Sequence, residues 1–580
     1  MATNTTAAAK GFDINWDALL TAVKGLKIPD IDWNLLLQYD TTTYVLVAAA
    51  AVLFVVYQNN RPQPLAHPLL FGRQSDVSKS RKQGESAVYR NYGLGHGSPL
   101  VARPKADVKT ILDLVSESQT ASRKLWKDPV TNAQLKHTAE ALAAGLVKVT
   151  GLVPKESNVL FLMNDSIDFL VADLACAQLG ITSFTTTTPS LVVPILQWHM
   201  PTAIIVSASY LDSLLEQIAD EKESRLIYVI VVPEIGVRTD VTDLELKSGV
   251  KIFLWGEIED AGKVADKIAP VEMAVDDVFS VNFYATSSDG HPVGAELTHQ
   301  SLTAGVTAVM NLFPSGKSLT TSDTVISAFS LASPFGRAVA YAAVYNGAAF
   351  ATVPSTALFK GPLDATKVGL EDLLHTVELY DLPAPTVAFI TPPHLTSWGQ
   401  GILNSVGLLF LWGWRHKISE SAHGHISRDS WLDSFIFAGA RKKIGKKLDE
   451  KLRQVVIGGE PIAPLRLRPS RLLLSVPVVN AYVHALVCGP VCATSPFDLQ
   501  FFRTPSAHYG APTAALELKL VGVDDIAVER GEDPVGEMVV RGPSILLTTP
   551  VKIPREDGWL KTGEAAVVQA NGSIVLLPQE

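Results

Sequence analysis

A cluster of small hydroxyl residues around a glycine is the segment best suited to bind phosphate. Residues 284–299 read YATSSDGHPVGAELTH and include a strand-like apolar start. Backbone N–H groups and hydroxyls in such a turn can surround an anion. Thr286, Ser287, Ser288 and Gly290 are therefore the candidate phosphate-binding residues, although other Ser- and Gly-rich turns have the same composition.

This segment resembles the phosphate loop of the adenylate-forming (AMP-binding) superfamily, YTSGTTGxPKGVxxTH. Five more segments resemble motifs of that superfamily and follow in family order: FSLASPFGR (329–337), VIGGEP (456–461), YVHALVCGP (482–490), GEMVVRGP (536–543) and DGWLKTGE (557–564). Residues 66–90 are similar to the same region of fungal long-chain acyl-CoA synthetases. The resemblance runs from there to the end of the sequence.

The resemblance implies ATP or AMP as a ligand. In the family, a carboxylate attacks the α-phosphate of ATP to form an acyl-adenylate, and the sulfur of coenzyme A then displaces AMP. By motif position, Gly458 and Gly459 let the backbone approach adenine, Tyr482 stacks on it, and Glu564 replaces an aspartate that binds the ribose hydroxyls. A tight turn remains the alternative for the glycines, and ordinary core packing for Tyr482.

Several positions depart from the family pattern. Leu486 stands where the family has a glutamate that helps hold Mg²⁺, and leucine has no oxygen to offer a hard cation. Ala485 replaces a threonine that contacts phosphate, Val293 replaces a lysine, and Asp289 adds a negative charge that repels phosphate. We therefore predict no catalytic residue and no metal ligand, and we expect coenzyme A as a substrate only if the protein is active.

The resemblance also implies a small C-terminal domain with a catalytic lysine after the DGWxxTGD motif. The sequence has only sixteen residues after Glu564, so we expect that domain to be absent. The combined departures predict an impaired relative that binds lipid or nucleotide, or that is a scaffold for an active synthetase. The alternatives are an active long-chain fatty acid–CoA ligase and a truncated gene product.

Alternating strands and helices must position these residues. Short apolar runs at 158–163, 203–207 and 226–232 predict strands, while 138–149 and 166–179 predict helices, the second ended by Gly180. Such alternation is typical of an α/β fold with parallel sheets flanked by helices. The resemblance adds a distorted β-barrel and assigns 101–580 to one synthetase-like domain.

The N-terminal region predicts membrane attachment. Residues 41–60 carry no charge, and about twenty residues of helix span a bilayer core, so we expect one transmembrane anchor, with a buried core helix as the alternative. Lys and Arg follow the segment and Asp precedes it, which places the main domain in the cytosol. We expect the endoplasmic reticulum, with the peroxisome or mitochondrial outer membrane as alternatives, an interfacial amphipathic segment over 1–40, and a linker arm over 61–100.

Composition limits the function classes. The chain has 580 residues and a formal net charge of −9 without a long basic run, so nucleic acid is not an expected partner. Its three cysteines argue against a disulfide framework and for a reducing compartment. The expected partners are membrane lipid, a long-chain fatty acid or acyl-adenylate, and an active synthetase.

Three smaller features stay open at this point. His299 begins a predicted helix, where a surface position is the ordinary expectation. Residues 406–414, VGLLFLWGW, are too few to span a membrane and are either buried or dip into its surface. The basic run at 441–447 is expected to be a solvated helix face, with contact to anionic lipid as the alternative.

Overall fold

Three β-sheets with helices packed around them make up the structure, a computed structural model. It describes residues 41–59, 63–219, 227–234, 237, 250–314, 316–360, 367–407, 409–550 and 556–578. The predicted amphipathic segment over 1–40 lies outside the described residues. An α/β fold is confirmed, with sheets that are mixed where the sequence predicted parallel ones.

The first sheet carries the candidate phosphate loop. Its eight strands are β5 (Asn158–Leu162), β6 (Thr182–Thr186), β7 (Ala203–Ser207), β8 (Tyr228–Val232), β9 (Lys251–Leu254), β10 (Val278–Thr286), β11 (Pro292–Thr298) and β21 (Leu547–Thr549). They lie in the order β21-β11-β10-β6-β5-β7-β8-β9. The strands from β10 to β9 pair in parallel, whereas β11 and β21 are antiparallel because a tight hairpin joins β10 to β11.

The second sheet carries the candidate adenine-binding residues. Its nine strands are β3 (Arg123–Leu125), β4 (Asp128–Val130), β12 (Thr324–Ser327), β13 (Ala349–Thr352), β14 (Val387–Ile390), β15 (Gln454–Ile457), β16 (Val478–Val483), β17 (Pro490–Ala493) and β18 (Ala511–Pro512). Their order is β18-β17-β16-β15-β14-β12-β13-β3-β4. The centre is parallel, and both edges end in antiparallel pairs.

The third sheet is antiparallel throughout. Its six strands are β1 (Ser75–Lys79), β2 (Val88–Asn91), β19 (Glu517–Val521), β20 (Val535–Arg541), β22 (Leu560–Val568) and β23 (Ile574–Leu576). Their order, β1-β2-β19-β20-β22-β23, includes no pairing that closes a barrel among the described strands. The segment predicted to be a linker arm contributes β1 and β2, so part of it is built into this sheet.

Helices cover the sheets and connect their strands. They are α1 (Thr41–Asn59), α2 (Leu69–Gly72), α3 (Asn132–Gly145), α4 (Ile167–Leu179), α5 (Val192–His199), α6 (Leu211–Ala219), α7 (Trp255–Lys263), α8 (His299–Met310), α9 (Pro334–Tyr345), α10 (Leu370–Leu379), α11 (Pro392–Ser405), α12 (Phe410–Ala422), α13 (Ala438–Asp449), α14 (Pro464–Leu474) and α15 (Asp525–Glu529). A π-helical turn, Asp433–Phe437, precedes α13.

Local sequence signals explain where helices begin and end. The side chain of Thr131 accepts a hydrogen bond from the N–H of Gln134 at 3.2 Å, and the Gln134 side chain accepts one from the N–H of Thr131 at 2.9 Å. These reciprocal bonds form a capping box at the N-terminus of α3. Gly180 ends α4 at φ +64, in the left-handed region that glycine adopts without a steric penalty. The predicted end of this helix at Gly180 is confirmed.

Helices α3 and α7 approach each other at backbone distance. A Cβ added to Gly262 would lie 1.7 Å from the carbonyl oxygen of Ala141, and one added to Gly145 would lie 1.9 Å from that of Ile258. Only glycine fits at either position, since no side-chain rotation can remove a clash with backbone. This close contact fixes α7 against the helical layer that covers the first sheet.

Helix α1 stands apart from the core. Its large apolar side chains, Tyr44, Leu53 and Phe54 among them, are exposed. Within the part of the chain that the structure describes, no helix combines the length and the hydropathy required to cross a membrane. The predicted transmembrane span is therefore not supported by the described residues.

Candidate functional site

The candidate phosphate loop is the tight turn of the β10–β11 hairpin. Thr286 ends β10, and Ser287, Ser288 and Gly290 lie in the turn. The N–H of Ser287 donates to the carbonyl of His291 at 2.8 Å, and the N–H of Gly290 donates to the carbonyl of Ser287 at 3.0 Å. Two backbone N–H groups of the turn are therefore already hydrogen-bonded within it, so fewer remain to bind an anion.

Side chains complete the closure of this turn. The Ser287 hydroxyl accepts from the N–H of His291 at 3.1 Å, and the His291 ring packs on Trp198 of α5 with centroids 3.7 Å apart. Asp289 is exposed at the tip, and Val293 is partly buried and uncharged. The exposed carboxylate therefore adds a negative charge to the turn.

The two predicted glycines follow β15. A Cβ on Gly458 would lie 2.8 Å from Cγ2 of Val483, so that position is a packing glycine. Gly459 is exposed at φ +94, and a Cβ there would meet only the ring of Phe329 at 3.6 Å and a methyl group of Thr391 at 3.9 Å. The backbone at Gly459 is thus open to a flat ligand.

Tyr482 lies on β16, beside β15, and the third sheet brings Glu564 to it. Burial raises the pKa of Tyr482, and the nearby Glu564 carboxylate raises it further. The ring of Tyr509 meets the Tyr482 ring edge-on, with centroids 5.7 Å apart. Because Tyr482 is only 8% exposed, it belongs to the core in this structure, as the packing alternative predicted.

Leu486 lies inside the protein, although the motif comparison places a metal-binding glutamate there. Its side chain is 3% exposed and belongs to the main hydrophobic core. Its N–H donates to Nδ1 of His484 at 3.2 Å, and its carbonyl accepts from the N–H of Leu546 at 2.9 Å. A carboxylate at this position would lose its hydration, which is unfavourable for an ionised group.

Two of the three residues predicted to bind adenosine lie near each other in the structure. Glu564 of β22 is close enough to Tyr482 of β16 to raise its pKa, and Gly459 follows the neighbouring strand β15. The turn at 287–291 instead makes its hydrogen bonds internally and its ring contact with α5. Binding of adenosine or of phosphate by these residues stays a prediction.

Sequence reasoning did not identify three neighbours of this site. Phe329 lies within a matched motif but was not assigned a role, although its ring flanks Gly459. Tyr509 belongs to an irregular segment without a motif, and its ring contacts Tyr482. His484 follows β16, and burial lowers its pKa. These contacts arise only in the folded chain.

His299 corrects a sequence expectation. It is fully buried, whereas its position at a helix start suggested the surface. Its Nδ1 accepts from the N–H of Ile111 at 3.3 Å, and its ring stacks on Phe279 with centroids 5.1 Å apart. Burial lowers the pKa of His299 to about 4, so the ring is neutral at physiological pH.

A second candidate location adjoins the loop after β12. Asp165 accepts from the hydroxyl of Ser330 at 3.0 Å and from the N–H of Leu331 at 2.9 Å, and burial raises the pKa of Asp165 to about 6. A cavity of about 630 Å³ lies beside it and is lined, among others, by Asp165, Asp168, Glu234, Lys360, His375 and Tyr380. Carboxylates outnumber ammonium groups in this lining, which is unfavourable for a phosphate ligand.

Cysteine and metal chemistry are not prominent in the described residues. Cys176, Cys488 and Cys492 are free and buried, and burial raises the pKa of Cys488 to about 12. No cluster of three or more His, Cys, Asp or Glu side chains within the described ranges is placed to hold a metal ion.

Comparison with known proteins gives a family match and distant relatives. Residues 126–548 match the model of a family described as AMP-binding enzyme. The chain is 23% identical over 565 residues to long-chain-fatty-acid–CoA ligase 6 of Homo sapiens, covering 93% of this chain and 76% of that protein. It is 27% identical over 464 residues to the peroxisomal long chain acyl-CoA synthetase 6 of Arabidopsis thaliana, covering 76% and 60%.

Solved structures share the fold at low identity. A long-chain-fatty-acid–CoA ligase from Archaeoglobus fulgidus superposes with a TM-score of 0.55 at 17% identity, covering 83% of this chain and 85% of that one. The N-terminal domain of FACL13 from Mycobacterium tuberculosis superposes with a TM-score of 0.54 at 16% identity, covering 81% and 100%. At these identities the likeness concerns the fold alone.

Proposed function

Because the chain belongs to the AMP-binding enzyme family, we propose that it is a long-chain acyl-CoA synthetase-like protein that binds an acyl-adenylate or AMP and has impaired ligase chemistry. The resemblance predicted from six ordered motifs is confirmed by the family match. The impairment rests above all on Leu486, an apolar core side chain at the position of a metal-binding glutamate.

The charge pattern of the hairpin turn supports the same proposal. Adenylation requires that positive groups or a metal neutralise the phosphates while the carboxylate attacks. Here Asp289 is exposed in the turn, and Val293 supplies no charge. The phosphate of an acyl-adenylate is a mixed anhydride with a single negative charge, so it depends far less on this neutralisation than ATP does.

Calorimetry with a non-hydrolysable long-chain acyl-adenylate analogue tests the binding half of the proposal. The full chain should bind it saturably, and Gly459→Val should weaken binding at least about tenfold, or about 1.4 kcal/mol, because the side chain fills the open approach. Gly522→Val is the matched control, since Gly522 has a similar positive φ of +75 and open space but lies away from the site. Equal losses in both variants, or no binding by the folded chain, would contradict the proposal.

A product assay separates the impaired protein from an active ligase. The chain with ATP, a long-chain fatty acid and coenzyme A should form no acyl-CoA at any Mg²⁺ concentration, because Leu486 offers no metal ligand. Acyl-CoA formation that disappears in Thr286→Ala would establish the active ligase instead. Acyl-CoA that forms only with an added synthetase would indicate a partner that completes the site.

We further propose that the protein attaches to a membrane, with its main domain in the cytosol. The exposed apolar side chains of α1 support this, since contiguous apolar surface without a protein partner favours lipid. The full chain should float with vesicles of uncharged phosphatidylcholine, and Leu53→Ser combined with Phe54→Ser should remain at the bottom of the gradient. Flotation of both proteins alike would remove α1 as the attachment. Co-localisation with markers would distinguish the endoplasmic reticulum from the peroxisome and the mitochondrial outer membrane.

A further inference from the structure

Large apolar side chains are exposed on one layer of the fold, formed by α12, the π-helical turn and α14. Trp412 is 76% exposed, Trp431 75%, Phe435 71% and Leu465 73%. Leu409, directly before α12, is also exposed. We refer to these five residues as the aromatic face. Soluble surfaces rarely expose so many large apolar groups on adjacent elements unless they bind something.

The elements of the aromatic face pack tightly on their inner side. A Cβ on Gly413 would lie 2.7 Å from the ring of Phe437 and 2.9 Å from Cδ1 of Ile436, so α12 lies directly against the π-helical turn. Phe410 is buried and stacks with Trp414 at 5.5 Å. The inner aromatic residues already fill this core, so the outer ones are not needed for it.

The segment from α12 through the π-helical turn into α13, which packs against that turn, is basic in an acidic protein. Residues 409–447 contain eight Lys and Arg but three Asp and Glu, whereas the whole chain has a net charge of −9. Of the three acids, Asp433 and Glu420 are buried, and Asp429 alone is exposed. Four bases are exposed and form no ion pair with any residue that the structure describes: Arg415, Lys442, Lys443 and Lys446.

Buried ion pairs hold this layer rigid. Asp433 accepts from Nζ of Lys417 at 2.9 Å and from the guanidinium of Arg441, which joins α12, the π-helical turn and α13 around one carboxylate. Arg441 therefore corrects the expectation that the whole basic run is solvated. Lys442, Lys443 and Lys446, which follow Arg441 on α13, are exposed to solvent.

The chain after α1 is fastened to the same layer. The N–H of Leu65 donates to the carbonyl of Gly424 at 3.0 Å, and Nδ1 of His425 lies 2.9 Å from the carbonyl oxygen of Gln63. Gly424 comes two residues after the end of α12. Four residues of chain reach at most about 14 Å, so the end of α1 at Asn59 lies within that distance of Gln63.

We propose that the aromatic face binds an anionic bilayer surface and seats the main domain on the membrane. Tryptophan and phenylalanine beside lysine form the chemistry that partitions into a lipid headgroup region. The proximity of α1 favours lipid over a protein partner, because α1 ends within about 14 Å of Gln63, which contacts this layer, and its large apolar side chains are exposed. The proposal rests on the membrane attachment proposed above and adds a second, charge-dependent contact to it.

An environment-sensitive fluorophore tests this contact in the full chain. It is attached to Phe435→Cys, and the three native cysteines are buried and poorly reactive. Val264→Cys, at an exposed position after α7, is the matched control. With vesicles that contain phosphatidylserine, the label at position 435 should shift to the blue and resist quenching by iodide, while the label at position 264 should do neither.

Removing the charges of the exposed lysines tests the contact of the aromatic face separately from that of α1. Lys442→Gln, Lys443→Gln and Lys446→Gln together should raise the vesicle concentration needed for the label response about 100-fold, since each Lys near an anionic surface contributes about 1 kcal/mol. A label that stays accessible to iodide on floated protein would overturn the proposal. A blue shift without vesicles that grows with protein concentration would also overturn it, in favour of a second copy of the chain. The acyl-adenylate calorimetry does not depend on this face, so the two failures are distinguishable.

Discussion

His299 should make the protein less stable as the pH falls, because its buried ring stays neutral over a pH range in which the exposed histidine of the unfolded chain takes up a proton. Its ring is fully buried against Phe279, and Nε2 has no hydrogen-bond partner among the described residues. Protonation would place an unpaired charge in the core. The perturbation is a non-titrating replacement, His299→Gln, whose side-chain oxygen can still accept from the N–H of Ile111.

The magnitude follows from the pKa of His299, which burial lowers from 6.5 to about 4. The unfolded chain binds the proton first, so stability is lost as pH falls from about 6.5 to about 4 and changes no further below that. A difference of about 2.5 units at 1.36 kcal/mol each amounts to about 3 kcal/mol. The carboxyls of Asp165 and Asp168 act in the opposite direction, because burial raises the pKa of both to about 6.

A difference between two proteins isolates His299 from these carboxyls. Denaturant unfolding of the full chain and of His299→Gln should be measured between about pH 7 and about pH 4. The unmodified protein should lose about 3 kcal/mol relative to the variant across that range. His299→Asn should show the same relative change although its absolute stability differs, since neither amide titrates.

Parallel pH profiles for the three proteins would refute the reasoning. They would mean that His299 binds its proton equally well in the folded and unfolded chain, and hence that the ring is reached by water. In that case the packing of the start of α8 against Ile111 and Phe279 would not be the one described.

Three further changes have definite expected outcomes in denaturant unfolding. Leu486→Glu should destabilise the protein by about 4 kcal/mol, because it removes a buried leucine and buries a carboxylate, while Ala485→Glu at the exposed neighbour should stay within about 0.5 kcal/mol; equal effects would show that position 486 faces solvent. Gly262→Ala should cost about 3 kcal/mol through its clash with a backbone carbonyl of α3, whereas Gly256→Ala on the same helix meets no atom within 4 Å and should cost far less. Asp433→Asn should cost about 3–5 kcal/mol, since it removes the charge of the carboxylate that Lys417 and Arg441 share and leaves them only longer contacts to Glu420 and Asp449, and an unchanged midpoint would contradict the ion-pair geometry.

Local features of the fold were readable from the sequence. The apolar run at 203–207 is strand β7, and Gly180 ends α4, because strand-forming residues and a left-handed glycine act within a few residues of chain. The six motifs identified the family, and the leucine at 486 was visible as a departure without any coordinates. Of the predicted phosphate-binding residues, Thr286 ends β10 and Ser287, Ser288 and Gly290 lie in the turn that follows, and their role in binding stays a prediction.

Pairing at the edges of the sheets depended on the tertiary structure. Periodicity indicates that β11 is a strand but not that it turns back antiparallel and pairs with β21, which lies some 250 residues later in the chain. The predicted parallel sheets became mixed ones for this reason. Tertiary structure also decided the region 61–100, which was predicted to be a linker arm. Its strand β2 pairs with β19, which lies far away in the sequence.

The sequence alone determined the local elements, the family motifs and the chemical type of each candidate residue. Only the tertiary structure showed that Leu486 and His299 are buried, that Tyr482 lies near Tyr509 and Glu564, and that Trp412 and Phe435 remain exposed on a basic layer. Burial and proximity depend on which distant segment covers a side chain. Hydrophobicity and spacing specify that a residue favours being covered, but they do not specify by what.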